Sequence, residues 1–277
     1  MKYEDNEKNV KIVAKEINIG HSVVFGQDVS ISVKGEFRIG DHSRLGNDTQ
    51  ILGNNIIFGE HLFNSSGLRV GGGGRQNPTA NLHIGDRCTI HNNFIIVCEP
   101  VVIGNVVGLS PDVNLITHGY WLSVLEGFPA KFEGINIGNG VIVGTKSSIL
   151  MGVEIADCVV VGAGSVVTKS LTSQKSIYAG NPAKFIRAIT PPSLVARMEM
   201  MGTIIEKYSE IAEYHDIDPK VWLDYPFVHV NEFIINVETF EHDGIEDDET
   251  DDFRDYIRKW GIRIYTNRGF KSNFSFE

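Results

Sequence analysis

The 277-residue sequence has only three cysteines, Cys88, Cys98 and Cys158, and none belongs to a CxxC pair. That spacing supplies neither a zinc ligand set nor a disulfide framework, and it fits a reducing compartment. No apolar run approaches the roughly 18 residues that a membrane helix requires, so no membrane span is expected. Residues 1–16 are polar, mixed in charge and without the apolar stretch of a secretory signal. The expectation is a cytoplasmic protein. A basic excess is also missing, because 25 Lys and Arg face 35 Asp and Glu for a net charge of −10. Binding to nucleic acid or to an anionic membrane usually needs a basic stripe. Neither is an expected partner, and an anionic ligand must be held by a few local cations.

A strong internal period is present. Large apolar residues return every six positions as Ile19, Phe25, Ile31; Ile39, Leu45, Ile51; Ile84, Ile90, Ile96; and Ile103, Leu109, Leu115. The longest run is Ile137, Val143, Ile149, Ile155, Val161, Val167. Glycine follows many of them, as at Gly40, Gly85, Gly104 and Gly138, with Asp41, Asp86, Asn105 and Asn139 next. A period of six implies a short strand, a tight corner and a return to the same inward position. Glycine, Asn and Asp tolerate corner dihedrals. Three units close a coil of about 18 residues, and stacked coils pair as parallel strands about 4.8 Å apart. A β-sandwich would instead alternate with period two. The fold class expected is mainly β, a parallel β-helix.

These repeats, with the segment INIGNGVIVGTKSSILMGVEIADCVVVGAGSVVTKSL and the ending AGNPAKFIR, resemble the hexapeptide-repeat acyltransferases. The GAGSVVTK and AGNPAK–IR pieces are similar to the ends of sugar O-acetyltransferases and of xenobiotic acetyltransferases. The resemblance spans roughly residues 17–189 and implies a left-handed β-helix, acetyl-CoA as cosubstrate, and a homotrimer with sites between subunits. The expected layout is a lead-in over 1–16, a β-helix over 17–189 with insertions near 64–83 and 119–136, and a C-terminal α+β extension over 190–277.

Acyl transfer from a thioester needs a base for the acceptor's proton. His118, in LITHGYW, stands where the period breaks for about 18 residues, the place the family gives its catalytic histidine. The family motif continues with Asp or Pro, whereas Gly119 follows here. Counting 15 residues on from Ile84 and from Ile103 gives Glu99 and His118. Without a bulge these two stack, and Glu99 would orient the imidazole. One coil earlier, His91, Asn92 and Asn93 are candidates to face the acceptor. Tyr120 and Trp121 in the excursion either stack on a sugar or pack the loop against the coil. By resemblance, CoA's pantetheine arm would run beside Gly144, Thr145, Gly162 and Ala163. Thr168 and Lys169 would approach adenine, and Lys184 with Arg187 the phosphates. Relatives often carry Trp where this chain has Val141-Ile142-Val143.

No metal is expected, since His83, His91 and His118 lack the close pair of a zinc β-helix enzyme. The run Gly71 to Gly74, then Arg75, is not a phosphate-binding loop, for no Gly-Lys-Ser/Thr ending follows, and it reads as a flexible insert that caps the cleft. After Pro191-Pro192, an apolar stripe from Leu194 to Ala212 predicts a helix packed on the coil. Residues 228–240 alternate as one strand. The acidic stretch Glu241 to Asp255 reads as a solvated face, the usual case, or as an interaction surface, followed by a short helix through Trp260 and a strand near 262–265. The reading is an acetyltransferase acting on a saccharide hydroxyl or amine. An antibiotic acetyltransferase and a non-catalytic scaffold are the alternatives.

Overall fold

The computed structural model describes residues 1–74, 77–215, 217 and 219–270, and divides into two compact units, Met1–Thr190 and Pro191–Glu277. Among the described residues, the first unit holds three sheets of nine, nine and seven strands, parallel but for an antiparallel pair at each of its two ends, and a separate two-stranded antiparallel sheet. One coil runs Leu82–Ile84, Thr89–Ile90, Phe94–Ile96, and the next Val101–Ile103, Gly108–Leu109, Asn114–Ile116. These segments define a first, second and third face. Strands of like face pair in register, as Ile84 with Ile103 and Ile103 with Ile137. The hairpin Lys2–Asp5/Val10–Val13 starts the third face, and Ser176–Ala179/Lys184–Ala188 closes the second.

The period follows from what each place demands. The residues Ile39, Leu45, Ile51, Ile84, Ile103, Leu109, Leu115, Ile137 and Val143 are buried to within 1 % and form one continuous column. Each such side chain contributes about 1.5–3 kcal/mol by leaving water. Between first and second faces, the Asx side chain accepts the amide of the coil before it. Asp41 Oδ1 takes His21 N–H at 2.7 Å, Asn105 Oδ1 takes Asp86 N–H at 2.8 Å, and Asp157 Oδ1 takes Asn139 N–H at 2.7 Å. That oxygen fills the space a Cβ would need on the preceding glycine, so Gly85 and Gly138 must lack one. The next residue turns left-handed, as at His42, Arg87 and Cys158 with φ of 55°, 59° and 57°.

Both interruptions lie where one coil gives way to the next. The first is shorter than the sequence suggests, because Phe63–Asn64 and Arg69–Gly71 are still coil strands. Asn64 is fully buried, bonding Gly46 N–H and the His91 carbonyl at 3.0 Å each. The excursion therefore begins at Gly72 and ends before Leu82. Arg75 lies outside the described residues.

The second unit has a four-stranded antiparallel sheet, Val221–Asp224, Phe227–Val230, Phe233–Asn236 and His242–Gly244. Residues 228–240 are therefore not one strand, since Asn231, with φ of 53°, turns the chain. Helix α1, Leu194–Tyr214, is capped by Ser193, and α2, Asp248–Ile257, by Asp247. The stripe Met201, Ile205, Tyr208, Ala212 is buried in this unit's own core with Val228, Phe233, Phe253 and Ile257, so α1 finds its packing partner here. The acidic stretch is a solvated face only in part, with Glu241, Asp243 and Asp248 exposed and Asp251 and Asp252 buried. Asp251 bonds the fully buried Arg254 at 2.8 Å, and Asp252 accepts from Tyr208 Oη at 3.0 Å. No strand forms at 262–265, where the Ile264 carbonyl accepts from Arg254 instead. Among the described residues, no helix is long and apolar enough to cross a membrane.

Candidate active site

His118 follows the third-face strand Asn114–Ile116 and, with Gly119, pairs antiparallel to Lys131–Phe132. Those two short strands form the root of the excursion. The imidazole is held by packing. It stacks on Phe132 at 5.9 Å between centroids and 9° between planes, and lies 5.5 Å from the Tyr120 ring. Tyr120 stacks in turn on Phe132 at 5.3 Å. The buried Nδ1 takes no hydrogen bond among the described residues. Nε2 faces the glycine run of the other excursion, and a Cβ added to Gly73 would sit 3.2 Å from it and 3.9 Å from Tyr120 Oη.

Glu99 does not meet this histidine. The second-face strands pair Thr89 with Gly108, nineteen residues apart, whereas the third-face strands pair Phe94 with Asn114 and Ile95 with Leu115, twenty apart. The earlier coil is therefore one residue short at its His91–Asn93 corner, and Ile95, in place of Ile96, takes the buried inward position opposite Leu115. Continuing that register brings Cys98 level with His118. Glu99 is tied through its amide, which donates to Thr117 Oγ1 at 3.3 Å.

Asn93 cannot face an acceptor. It is buried to 1 %, with Oδ1 accepting His91 N–H and Nδ2 donating to the Ser110 carbonyl, both at 2.8 Å. Exposed Asn92 bonds Asp112 at 2.5 Å. His91 shares a 2.9 Å hydrogen bond between Nδ1 and Ser65 Oγ, and burial lowers its pKa below the usual histidine value. All three lie at the corner before the strand Phe94–Ile96, on the edge of the third face away from His118.

The residues assigned to CoA divide between the same two edges. Gly144, Thr145, Gly162 and Ala163 follow second-face strands, on the His91 edge. Gly144 N–H donates to Val161 O at 2.8 Å, and Thr145 Oγ1 donates to Pro111 O at 2.7 Å. Exposed Thr168 and Lys169 follow Val166–Val167, on the His118 edge two coils on. Lys184 and Arg187 are exposed on the closing strand Lys184–Ala188. Ile142, in the same run as Gly144, is half exposed.

The excursion encloses a pocket of about 520 Å³ lined by Tyr120, Trp121, Leu122, Phe128, Pro129 and Met151. Trp121 is 90 % and Leu125 94 % exposed, so neither packs the loop against the coil. Sequence reading missed Ser65 and Met151. Their roles depend on where a loop or a neighbouring coil lands, and no local pattern marks them. Among the described residues, no three His, Cys, Asp or Glu side chains converge to hold a metal.

No protein-family model matches the chain. It is 36 % identical over 118 residues to the galactoside O-acetyltransferase of Escherichia coli, covering 40 % of this chain and 55 % of that protein. It is 36 % identical over 112 residues to serine acetyltransferase 2 of Arabidopsis thaliana, covering 39 % and 31 %. A galactoside acetyltransferase solved with coenzyme A superposes with a TM-score of 0.38 at 29 % identity, over 47 % of this chain and 66 % of that one. The chain spans about half the length of the curated relatives it matches first. The chain is thus similar over part of its length to named acetyltransferases, and its body is built of coils with a period of six.

Proposed function

We propose that the protein transfers an acetyl group from acetyl-CoA to a hydroxyl or amine of a saccharide, with His118 as the general base. One observation carries this reading. A half-buried imidazole, clamped by Phe132 and Tyr120 and sheltered at Nδ1, turns Nε2 towards the space between two excursions from an otherwise regular coil. A base needs such a fixed ring, with its free nitrogen where an acceptor can arrive. The saccharide class draws support from the relative named for galactoside O-acetylation.

In this reading the acceptor's O–H or N–H gives its proton to Nε2 as the nucleophile attacks the thioester carbonyl. The tetrahedral intermediate then collapses, expelling the CoA thiolate, which takes up a proton. Tyr120 and Trp121 offer faces for the acceptor ring. Gly144, Thr145, Gly162 and Ala163 line the pantetheine arm, Thr168 and Lys169 approach adenine, and Lys184 with Arg187 neutralise phosphates. Because those groups lie on the two edges of the third face, a complete site combines one edge from each of two copies. Exposed Leu125 supplies apolar contact for the neighbouring copy, and a homotrimer closes the set. The free thiols Cys88, Cys98 and Cys158 fit a reducing cytoplasm.

The test is thiol release from acetyl-CoA against a panel of sugars, nucleotide-linked amino sugars and a macrolide antibiotic. Release that depends on a saccharide supports the reading. Release with the antibiotic alone moves the acceptor class, and no release together with no CoA binding leaves a scaffold.

A further inference from the structure

The run Gly71 to Gly74 contains three glycines that the backbone demands and one that it does not. Gly71, Gly72 and Gly74 have φ of 144°, 97° and 77°, where a side chain is strained. Gly73 lies outside that region, so no left-handed φ demands glycine there. What a side chain would meet there is the candidate base. A Cβ on Gly73 would lie 3.2 Å from His118 Nε2, 3.4 Å from Cε1 and 3.9 Å from Tyr120 Oη. The neighbours hold the loop in that place. Val97 N–H donates to Gly71 O at 3.1 Å, Asn77 N–H to Gly74 O at 2.8 Å, and Asn77 Nδ2 to Cys98 O at 3.4 Å. The loop thus spans the Cys98 coil and lays bare backbone against the imidazole of the next one.

We infer that Gly73 is a specificity-determining position. Its missing side chain keeps open a slot between the glycine run and Tyr120, and through that slot the acceptor's nucleophile reaches Nε2. The inference rests on the reading of His118 as the base. The slot admits a hydroxyl or amine carried on a projecting arm more readily than one flanked by bulky groups, since the loop backbone and the Tyr120 ring bound it on two sides.

The slot is testable without knowing the acceptor. Diethyl pyrocarbonate acylates an accessible imidazole nitrogen, and mass spectrometry of the intact chain's peptides reads His118 against exposed His21 as an internal reference. Gly73→Ala and Gly73→Val are expected to lower the His118/His21 rate ratio, by tenfold or more for Val, with the His21 rate unchanged. An unchanged ratio in a folded Gly73→Val overturns the inference. Should the variants fail to fold, the parent decides. Its His118/His21 ratio should be at least tenfold lower with bulky 4-bromophenacyl bromide than with iodoacetamide, and equal ratios overturn the slot. These ratios are obtained even from a chain that acetylates nothing, so failure of the slot and failure of the acyltransferase reading are separable. With an active acceptor in hand, Gly73→Ala should lower kcat/KM for that acceptor while the acetyl-CoA Kd stays within twofold. A kcat/KM that does not fall counts against the slot.

Discussion

Asn105 Oδ1 accepts the Asp86 amide at 2.8 Å and at the same time occupies the volume that a side chain on Gly85 would need. One oxygen thus fixes two letters of the repeat, the Asx and the glycine one coil below it. Asn105→Ala removes the acceptor and should cost about 1 kcal/mol. Gly85→Ala should cost more in the parent than in the Asn105→Ala background, because only the parent has the oxygen in the way. Part of the cost remains, since the Gly104 carbonyl atoms lie 2.9 Å from the same spot. Denaturant midpoints of the four proteins give the coupling, expected at about 1 kcal/mol or more. Strictly additive costs would contradict the shared-oxygen account.

Burial lowers the pKa of His91 below the free-chain value, so the folded protein resists a proton that the unfolded chain accepts. Below about pH 6.5 the unfolded state binds more protons, and stability falls as pH falls through that value. In His91→Gln this part of the slope should vanish. Thermal midpoints at pH 7.5 and 5.0 measure it, and equal slopes in parent and variant would remove His91 as the cause.

The second unit is held by a charge network inside its core. Arg254 Nη1 bonds Glu246 at 2.9 Å and Asp251 at 2.8 Å, while Nε donates to the Ile264 carbonyl at 3.2 Å. Arg254→Met leaves Asp251, 2 % exposed, short of its buried partner, and should cost about 3–5 kcal/mol. Chemical denaturation of the full chain checks this. A loss under about 1 kcal/mol would mean that the network relaxes around the change.

The exposed Lys184 and Arg187 are the cations proposed for the CoA phosphates. The pair Lys184→Ala, Arg187→Ala should raise the acetyl-CoA Kd by roughly tenfold and flatten its dependence on salt. Titration calorimetry at two ionic strengths measures both. Unchanged affinity and salt slope would return these residues to the solvated surface.

The coil was legible because each letter of its repeat answers a local demand, inward volume at Ile84 or Ile103 and corner geometry at Gly85 and Asp86. Register was less legible. The residue missing from the His91–Asn93 corner is masked because Ile95 and Ile96 are both apolar, yet it turns Ile95 inward and brings Cys98, in place of Glu99, level with His118. Asn93 had the composition of a binding residue and is consumed by the corner it braces. The buried part of the acidic stretch was not legible because its cations, Arg254 and Arg268, come at its end or beyond it and reach back to Asp251 only through the fold. Gly73 carries no mark in the sequence that separates it from its three neighbours, whose dihedrals differ from its own.

The central claim is that His118 serves as the base for acyl transfer. Acceptor-dependent thiol release from acetyl-CoA, compared between the parent and His118→Ala across pH, tests it most directly. The account predicts a fall of about 10²-fold or more in kcat/KM, with acetyl-CoA binding and thermal midpoint retained. Release that survives the substitution at parental rates would contradict it, and would point to an amine acceptor that sheds its proton to water.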